Sequence, residues 1–190
     1  MREFIYFSKN ARTSGNFRDL MEAGRLDIVC HAIIMSFFVS NAVRENVRLH
    51  LFFYGQPDPP KHIEINSNAS ISKKDISGLI KRALYKYKKG KKIEALQGCF
   101  IEKKRFSDFI EELSKEGRMI YLLDRKGQDV RDADIKKDSV FILGDHEGIP
   151  KEELKKIKHN VEKISLGNAE YFASQTLAIL QNELDRRNIN

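Results

Sequence analysis

Short runs of apolar residues alternate along this 190-residue chain with segments whose apolar positions recur at helical spacing. The helical segments include Ile76–Leu84 and Phe106–Leu113, where the spacing is i, i+3, i+4 and i+7. The strand-like runs are too uniformly apolar for a sheet with one wet face, and they are Phe4–Phe7, Val47–Tyr54, Cys99–Glu102, Met119–Leu123, Val140–Leu143 and Val161–Leu166. Such strands, alternating with helices, are typical of a mostly parallel sheet covered by helices on both faces. The sequence therefore predicts an α/β fold.

The same patterns predict where individual elements begin and end. A helix that is apolar on almost every side is predicted from Gly24 to about Val43, and a last helix from about Ala169 to Arg187. The segment His62–Ile65 is predicted to be a short strand at an edge of the sheet, and Asp124–Gly127 a polar turn after a strand. Residues 1–190 are interpreted as a single domain, because two domains would each be shorter than the usual size.

Composition limits the class of protein. No apolar run approaches the roughly 20 residues of a membrane span, and the start of the chain is too charged for a signal peptide. Two cysteines are too few for a disulfide framework or a cysteine-built zinc site. We therefore expect a cytoplasmic protein with neither a membrane nor a metal as its partner. The net charge of +7 favours a polyanionic partner.

Positive charge is concentrated between Ile71 and Lys92, where nine lysines and arginines are opposed by one carboxylate, Asp75. A helix in this segment would bury its apolar stripe and expose a basic face. Two interpretations remain open: a solvated lysine-rich face, and a surface that contacts RNA phosphates. On the second interpretation the RNA-binding residues are Lys81, Arg82, Lys86, Lys88 and Lys89.

Small and polar residues follow three of the predicted strands. They are Leu123 with the polar turn after it, Gly144–Gly148, and Ser165–Ala169. Ligands of open α/β sheets bind beyond the carboxyl ends of strands, and glycines let the main chain approach a ligand closely. If the strands are neighbours, the loops form one cleft, suited to an adenosine compound that carries no triphosphate, because the phosphate-binding glycine motifs are absent from the sequence. The alternative is that each loop is only a turn.

Two further sets of charged residues are candidates for a catalytic or metal-binding role. Asp145, His146 and Glu147 are adjacent in sequence, so they cannot easily share one metal ion, and no metal site is predicted. Arg25 and Asp27 open the long apolar helix. Asp27 either complements the helix dipole alone, or forms with Arg25 a cation and carboxylate placed together at a cleft.

With these motifs in place, the chain resembles the archaeal tRNA pseudouridine N1-methyltransferases called TrmY, in the SPOUT superfamily. The resemblance covers nearly the whole chain and no single motif decides it. The matching stretches are Met1–Phe4, Gly24–Asp27, Tyr54–Pro60, Phe141–Gly148 and Ile164–Gly167. A related bacterial group of unassigned substrate is also similar around Leu123–Gly127 and Phe172–Gln175. The family as a whole is also similar to a small-subunit rRNA pseudouridine methyltransferase.

The resemblance implies a C-terminal trefoil knot, a homodimer, and S-adenosylmethionine bound in the knot. It implies methylation of pseudouridine at N1 in tRNA, at position 54 of the T-loop. Arg25 and Asp27 match the family's Arg-x-Asp motif and would be the catalytic residues. The implied cofactor-binding residues are Leu123, Gly144, Ser165, Leu166, Gly167, Asn168, Ala169, Glu170 and Thr176, the last standing where the family has a cysteine.

Three alternatives to this function remain open. The substrate could be rRNA, or the protein could be a non-catalytic RNA-binding module, which would show no saturable affinity for S-adenosylmethionine. The third is a hydrolase that uses Asp145 and His146 and needs no methyl donor.

Overall fold

The computed structural model describes residues 1–189, which form one eight-stranded sheet and five α-helices. The strands are β1 (Arg2–Ser8), β2 (Val47–Phe53), β3 (Lys61–Asn66), β4 (Ile93–Leu96), β5 (Cys99–Glu102), β6 (Ile120–Asp129), β7 (Val140–Gly144) and β8 (Glu162–Ser165). The helices are α1 (Leu26–Phe37), α2 (Ile76–Lys86), α3 (Phe106–Lys115), α4 (Lys151–Ile157) and α5 (Ala173–Arg186). No helix among residues 1–189 is both long and apolar enough to cross a membrane.

The sheet has the order β4-β5-β3-β2-β1-β7-β6-β8. Strand β1 pairs in parallel with β2 and β7, and β6 pairs in parallel with β7 and β8. The other three pairings, β2–β3, β3–β5 and β4–β5, are antiparallel. The predicted mostly parallel sheet is therefore confirmed. Its centre is β1, whose residues Phe4–Phe7 are fully buried because strands and helices cover them on every side.

Helices cover both faces of the sheet, as predicted. One face carries α1, α2 and α5, whose apolar residues form a single cluster with Phe4, Tyr6 and Leu143. The other face carries α3 and α4 over a smaller cluster that contains Ile5, Phe7 and Phe52. Successive residues of β1 thus point to opposite layers, as the two-residue period of a strand requires.

Both long helices are shorter than predicted. Helix α1 ends at Phe37, not near Val43, because Phe38 is extended and pairs with Val43 across a tight turn. The apolar residues after Phe37 therefore continue the hydrophobic pattern without continuing the helix. Helix α5 begins at Ala173, not at Ala169, and the side chain of Gln175 accepts a hydrogen bond from the Phe172 main chain at its start.

The edge of the sheet is also different from the prediction. Strand β3 lies inside the sheet, because β5 and then β4 extend the sheet beyond it. Strand β4 was not predicted; it is only four residues long and is joined to β5 by a tight turn at Gly98, with φ 65°. Apolar patterning is too weak over so short a segment to separate a strand from a loop.

The predicted polar turn at Asp124–Gly127 lies within β6, so that prediction is wrong. Pairing with β8 shifts there, and both Leu123 and Gln128 lie opposite Ile164. At Gly127 the backbones of β6 and β8 approach so closely that an added Cβ would lie 2.5 Å from the Ile164 main-chain nitrogen. A glycine at this position is therefore explained by the crossing of two backbones.

A chain of buried polar side chains crosses four strands under α3. The His50 ring contacts Glu3 at 2.8 Å and His62 at 2.9 Å, and His62 contacts Glu102 at 3.0 Å. Arg118 donates a hydrogen bond of 2.8 Å to the second oxygen of Glu3. Each buried polar group in this chain therefore has a partner, as buried polar groups require.

Candidate active site

The carboxyl ends of β7 and β8, together with the irregular part of β6 after Leu123, surround a cleft of about 550 Å³. The three loops singled out in the sequence converge here. Of the nine residues predicted to bind a cofactor, Asn168 is exposed outside the cleft. The other eight line it: Leu123, Gly144, Ser165, Leu166, Gly167, Ala169, Glu170 and Thr176.

The main chain forms much of the cleft wall. Gly144 ends β7 where its backbone meets Gly148, and an added Cβ would lie 2.8 Å from the Gly148 main chain. Gly167 has φ 108°, a conformation that favours glycine. The hydroxyl of Ser165 accepts a hydrogen bond of 3.0 Å from the Gly167 N–H, which holds this loop against the end of β8. These loops therefore present backbone groups to the cleft with little side chain between.

Six further cleft residues were not among the nine predicted to bind a cofactor, although the loops of the first four named below were predicted to form the cleft. Asp124, Arg125, Asp145, Glu147, Tyr171 and Phe172 also line the cleft. With Glu170, the lining contains four carboxylates and one guanidinium, that of Arg125, which forms an ion pair of 3.2 Å with Glu170. This excess of negative charge favours a cationic ligand over a phosphate. The signal in the sequence was the run of acids near the three strand ends.

Asp145 connects the cleft to the end of β1. Its carboxylate accepts hydrogen bonds from the Ser8 hydroxyl at 2.7 Å and from the Glu147 N–H at 2.9 Å. Glu147 in turn accepts a hydrogen bond of 2.6 Å from Asn10. Among residues 1–189, no three histidine, cysteine, aspartate or glutamate side chains lie close enough together to hold a metal ion. Asp145 therefore acts as a structural anchor for its loop.

Arg25 and Asp27 form a two-point ion pair at the start of α1. The Arg25 Nε and Nη2 donate to the two Asp27 carboxylate oxygens at 3.0 and 2.9 Å. Arg25 has a left-handed backbone, with φ 63° and ψ 42°, which follows Gly24 in the same region. The hydrogen bonds from Arg25 outweigh the effect of burial and hold the pKa of Asp27 below its ordinary value. Asp27 is therefore ionised at neutral pH.

This ion pair lies at the rim of the cleft. Ile28, the residue after Asp27, is one of the cleft-lining residues. The charges of Asp145, Asp27 and Arg25 all act on Tyr6 of β1. The structure thus brings the predicted catalytic pair to the predicted cofactor cleft.

The five predicted RNA-binding residues have different surroundings. Lys81 donates a hydrogen bond of 2.9 Å to the Phe17 carbonyl oxygen, and Arg82 forms an ion pair of 2.8 Å with Asp75. Lys86, Lys88 and Lys89 are exposed, and within residues 1–189 they form no ion pair. The last three are therefore the cations that remain available to a partner.

The basic end of α2 lies at the same edge of the sheet as the cleft. Phe17, which Lys81 contacts, belongs to the loop between β1 and α1. Beyond α2, the ring of Tyr87 lies 4.1 Å from the Nζ atom of Lys61, the first residue of β3. Lys61 pairs with Phe53, the last residue of β2. Lys86–Lys89 and the Arg25–Asp27 pair therefore lie toward the same edge of the sheet, the edge where β1 and β2 end.

A family model described as "Putative SAM-dependent RNA methyltransferase" matches residues 1–189. The chain belongs to this family. A relative from Methanococcoides burtonii, named tRNA (pseudouridine(54)-N(1))-methyltransferase, is 34% identical, and the match covers 98% of this chain and 96% of the relative. A protein of the same name from Methanocaldococcus jannaschii is also 34% identical, with 100% and 98% covered.

The fold of this family member is similar to that of a solved structure, Archaeoglobus fulgidus Nep1 bound to S-adenosylhomocysteine. The TM-score is 0.70 with 14% sequence identity, and the match covers 100% of this chain and 99% of that one. At this identity the comparison concerns the fold alone. It extends over the whole sheet, including the antiparallel strands that carry α2.

Proposed function

We propose that this chain is a cytoplasmic methyltransferase that transfers a methyl group from S-adenosylmethionine to N1 of pseudouridine 54 in tRNA. The observation that carries the proposal is the shared location of two features: the Arg25–Asp27 pair lies at the rim of a cleft lined by eight predicted cofactor residues. Membership of the RNA methyltransferase family and the names of the archaeal relatives support the reaction and the substrate.

The residues of the cleft fit S-adenosylmethionine. A volume of about 550 Å³ is within the usual range for a ligand of this size. The excess of carboxylates suits a sulfonium cation, and the glycine-rich walls leave main-chain groups free to bind an adenine ring. When bound, the cofactor supplies a methyl group on a positively charged sulfur. Gly144, Gly167 and the main chain between Ser165 and Glu170 would hold it.

Asp27 is proposed to accept the N1 proton of pseudouridine. It is ionised, and uridine offers no N–H at the corresponding ring position, so the same carboxylate would distinguish the two nucleosides. Arg25 is proposed to leave Asp27 for a phosphate or a base oxygen of the RNA. Most of the rate enhancement would come from holding the base in line with the methyl group.

Lys86, Lys88 and Lys89 are proposed to bind the phosphates of the RNA backbone. Lys81 and Arg82 are proposed to contribute to the same surface. Their location at the same edge as the cleft supports this role, because a bound RNA could contact both at once. Phosphate contacts from these lysines would position the RNA without reading its sequence.

A trefoil knot and a homodimer are part of the proposal. The approach of Gly127 to Ile164, and the hydrogen bond from Val130 N–H to the Ser165 carbonyl, support a crossing of chain segments at the cleft. Met35, Val39 and Val43 are large, apolar and exposed at the end of α1, and they support a subunit contact on this face.

Incubation of the purified protein with S-adenosylmethionine and one tRNA made with either pseudouridine or uridine at position 54 tests the proposal. Nucleoside mass spectrometry should find 1-methylpseudouridine only in the first. An rRNA fragment that contains pseudouridine provides the competing substrate. Methylation of the rRNA alone would overturn the tRNA assignment, and saturable RNA binding without any methyl transfer would indicate a binding module.

A further inference from the structure

The side chain of Tyr6 is fully buried, and within residues 1–189 its hydroxyl has no hydrogen-bond partner. Tyr6 lies near the carboxyl end of β1, where it pairs with Leu143 of β7. A buried hydroxyl without a partner destabilises a fold, and such groups are rare in proteins. The hydroxyl of Tyr6 therefore calls for an explanation beyond packing, since phenylalanine would fill the same space.

The surroundings of this hydroxyl are charged. Burial raises the pKa of Tyr6, the negative charges of Asp145 and Asp27 raise it further, and Arg25 lowers it. The phenol therefore stays protonated and can donate a hydrogen bond. Cys30, on the next turn of α1, also lies within range of Asp27, and burial raises the pKa of its thiol to about 11, so it stays neutral.

Of the two carboxylates near Tyr6, Asp145 already has a donor on each oxygen, the Ser8 hydroxyl and the Glu147 N–H. Asp27 accepts main-chain N–H hydrogen bonds at Asp27 and Ile28, and within residues 1–189 Arg25 is its only side-chain donor, with one contact on each oxygen. If Arg25 turns toward an RNA phosphate, Asp27 loses both side-chain donors at the moment when it must stay ionised and in place. A second hydrogen-bond donor close to Asp27 would replace these contacts.

We propose that Tyr6 is a positioning residue for Asp27, whose carboxylate accepts a hydrogen bond from the Tyr6 hydroxyl when Arg25 releases it. This inference rests on the proposed role of Asp27. While Arg25 and Asp27 are paired, the Tyr6 hydroxyl has no partner. When Arg25 moves away, the hydroxyl replaces the guanidinium as a donor to Asp27. Because the Tyr6 hydroxyl is unsatisfied while Arg25 and Asp27 are paired, Tyr6 also lowers the free energy needed to separate Arg25 from Asp27.

The test opens the ion pair without RNA or cofactor. Arg25→Gly removes the guanidinium and tolerates the left-handed backbone at this position. The pKa of Asp27 is then measured from its carboxyl carbon resonance in R25G and in R25G/Y6F. We expect a pKa about one unit higher in the double variant, because a donor to the ionised form has been removed. Equal values in the two proteins would overturn the proposal.

Tyr87→Phe is the matched control, since the Tyr87 hydroxyl is also buried and has no partner within residues 1–189. Both Y6F and Y87F should raise the melting temperature, because each removes an unsatisfied hydroxyl. In the R25G background, only Y6F should move the pKa of Asp27. In the otherwise unchanged enzyme, Y6F should lower kcat several-fold, leave KM for tRNA near its original value, and shift the acidic limb of the kcat profile to higher pH. A wild-type enzyme that methylates nothing would contradict the proposed function, whereas the titration would still decide the role of Tyr6.

Discussion

Arg25 contacts both carboxylate oxygens of Asp27, although only one residue separates them in sequence. The left-handed conformation of Arg25 turns its side chain back over the first turn of α1 and makes this contact possible. An RNA base that donates a hydrogen bond to the Asp27 carboxylate must therefore compete with Arg25 for it.

Replacement of Asp27 by asparagine should lower methyl transfer by about 100-fold or more, because the amide cannot accept a proton. Stability should change by no more than about 1 kcal/mol, since the ion pair with Arg25 is partly exposed. Single-turnover assays on pseudouridine-containing tRNA measure the first effect, and thermal unfolding the second. Asp19→Asn makes the same change in the preceding loop and should leave turnover intact. Near-normal turnover of D27N would reduce Asp27 to a structural residue.

Gly144→Ala should weaken the binding of S-adenosylmethionine by at least tenfold. Its Cβ would lie 2.8 Å from the Gly148 main chain, so the loop between these glycines must move. Gly117→Ala serves as the control, because Gly117 has φ 76° but nothing lies within 4 Å of an added Cβ. It should cost about 1 kcal/mol of stability through backbone strain alone. Titration calorimetry that gave one affinity for all three proteins would remove Gly144 from the cofactor site.

Reversal of Lys86, Lys88 and Lys89 to glutamate should weaken tRNA binding and flatten its salt dependence by about one unit of slope per lost phosphate contact. The affinity for S-adenosylmethionine should not change. Reversal of Lys151, Lys155 and Lys158 alters the net charge equally, but on the opposite face of the sheet. If both triple variants lost affinity to the same extent, the effect would come from net charge and not from contacts at α2.

Stability should decrease as the pH falls from about 6.5 to about 2. Burial lowers the pKa of His62 from its ordinary 6.5 to about 4, so its contribution is complete above pH 6.5 and is lost as the pH falls toward 4. Burial opposes ionisation of Glu3, but hydrogen bonds from His50 and Arg118 outweigh it and lower the pKa from 4.5 to about 2. The contribution of Glu3 is therefore lost between pH 4.5 and 2.

Thermal unfolding across this pH range measures both contributions. The variant His62→Gln should flatten the profile between pH 6.5 and 4 and leave the loss below pH 4.5. The matched replacement His31→Gln, on the exposed side of α1, should leave the profile unchanged. A profile of H62Q that followed the original protein through the upper range would contradict the assignment to His62.

A homodimer should have about twice the 22.0 kDa mass of the chain in light scattering at micromolar concentration. The double variant Met35→Glu, Val39→Glu should be a monomer, because it places two charges in the exposed apolar patch at the end of α1. Met21→Glu alters an exposed methionine in the loop before α1, away from this patch, and should remain dimeric. A monomeric original protein would exclude the dimer.

The cleft was predictable from sequence because strand ends in a parallel sheet meet at one edge. Gly144, Ser165 and Leu123 could be placed together once the strands were recognised as neighbours. The polar turn after Leu123 was wrong, since residues 124–127 form an irregularity between two paired parts of β6. Only the position of Ile164 on the adjacent strand distinguishes these arrangements, and sequence spacing does not contain it.

The surroundings of Tyr6 and Lys81 could not be predicted for a related reason. Tyr6 reads as a core residue in an apolar strand, and its lack of a partner depends on where Asp27 and Asp145 lie in space. Lys81 reads as one more exposed cation, yet it contacts the Phe17 carbonyl 64 residues away. Periodicity identifies which side of a helix is apolar, but not which loop crosses its polar side.

The strand order of the sheet places the cleft and helix α2 on opposite sides of β1. The cleft is built from β7, β6 and β8 on one side of β1, whereas α2 is carried by the antiparallel strands β3, β5 and β4 on the other side. The loop between β1 and α1 joins them, through Phe17 in its middle and Arg25 at its end. Substitutions in the proposed RNA-binding helix therefore leave the proposed methyl-donor cleft in place, provided that this loop keeps its contacts with both.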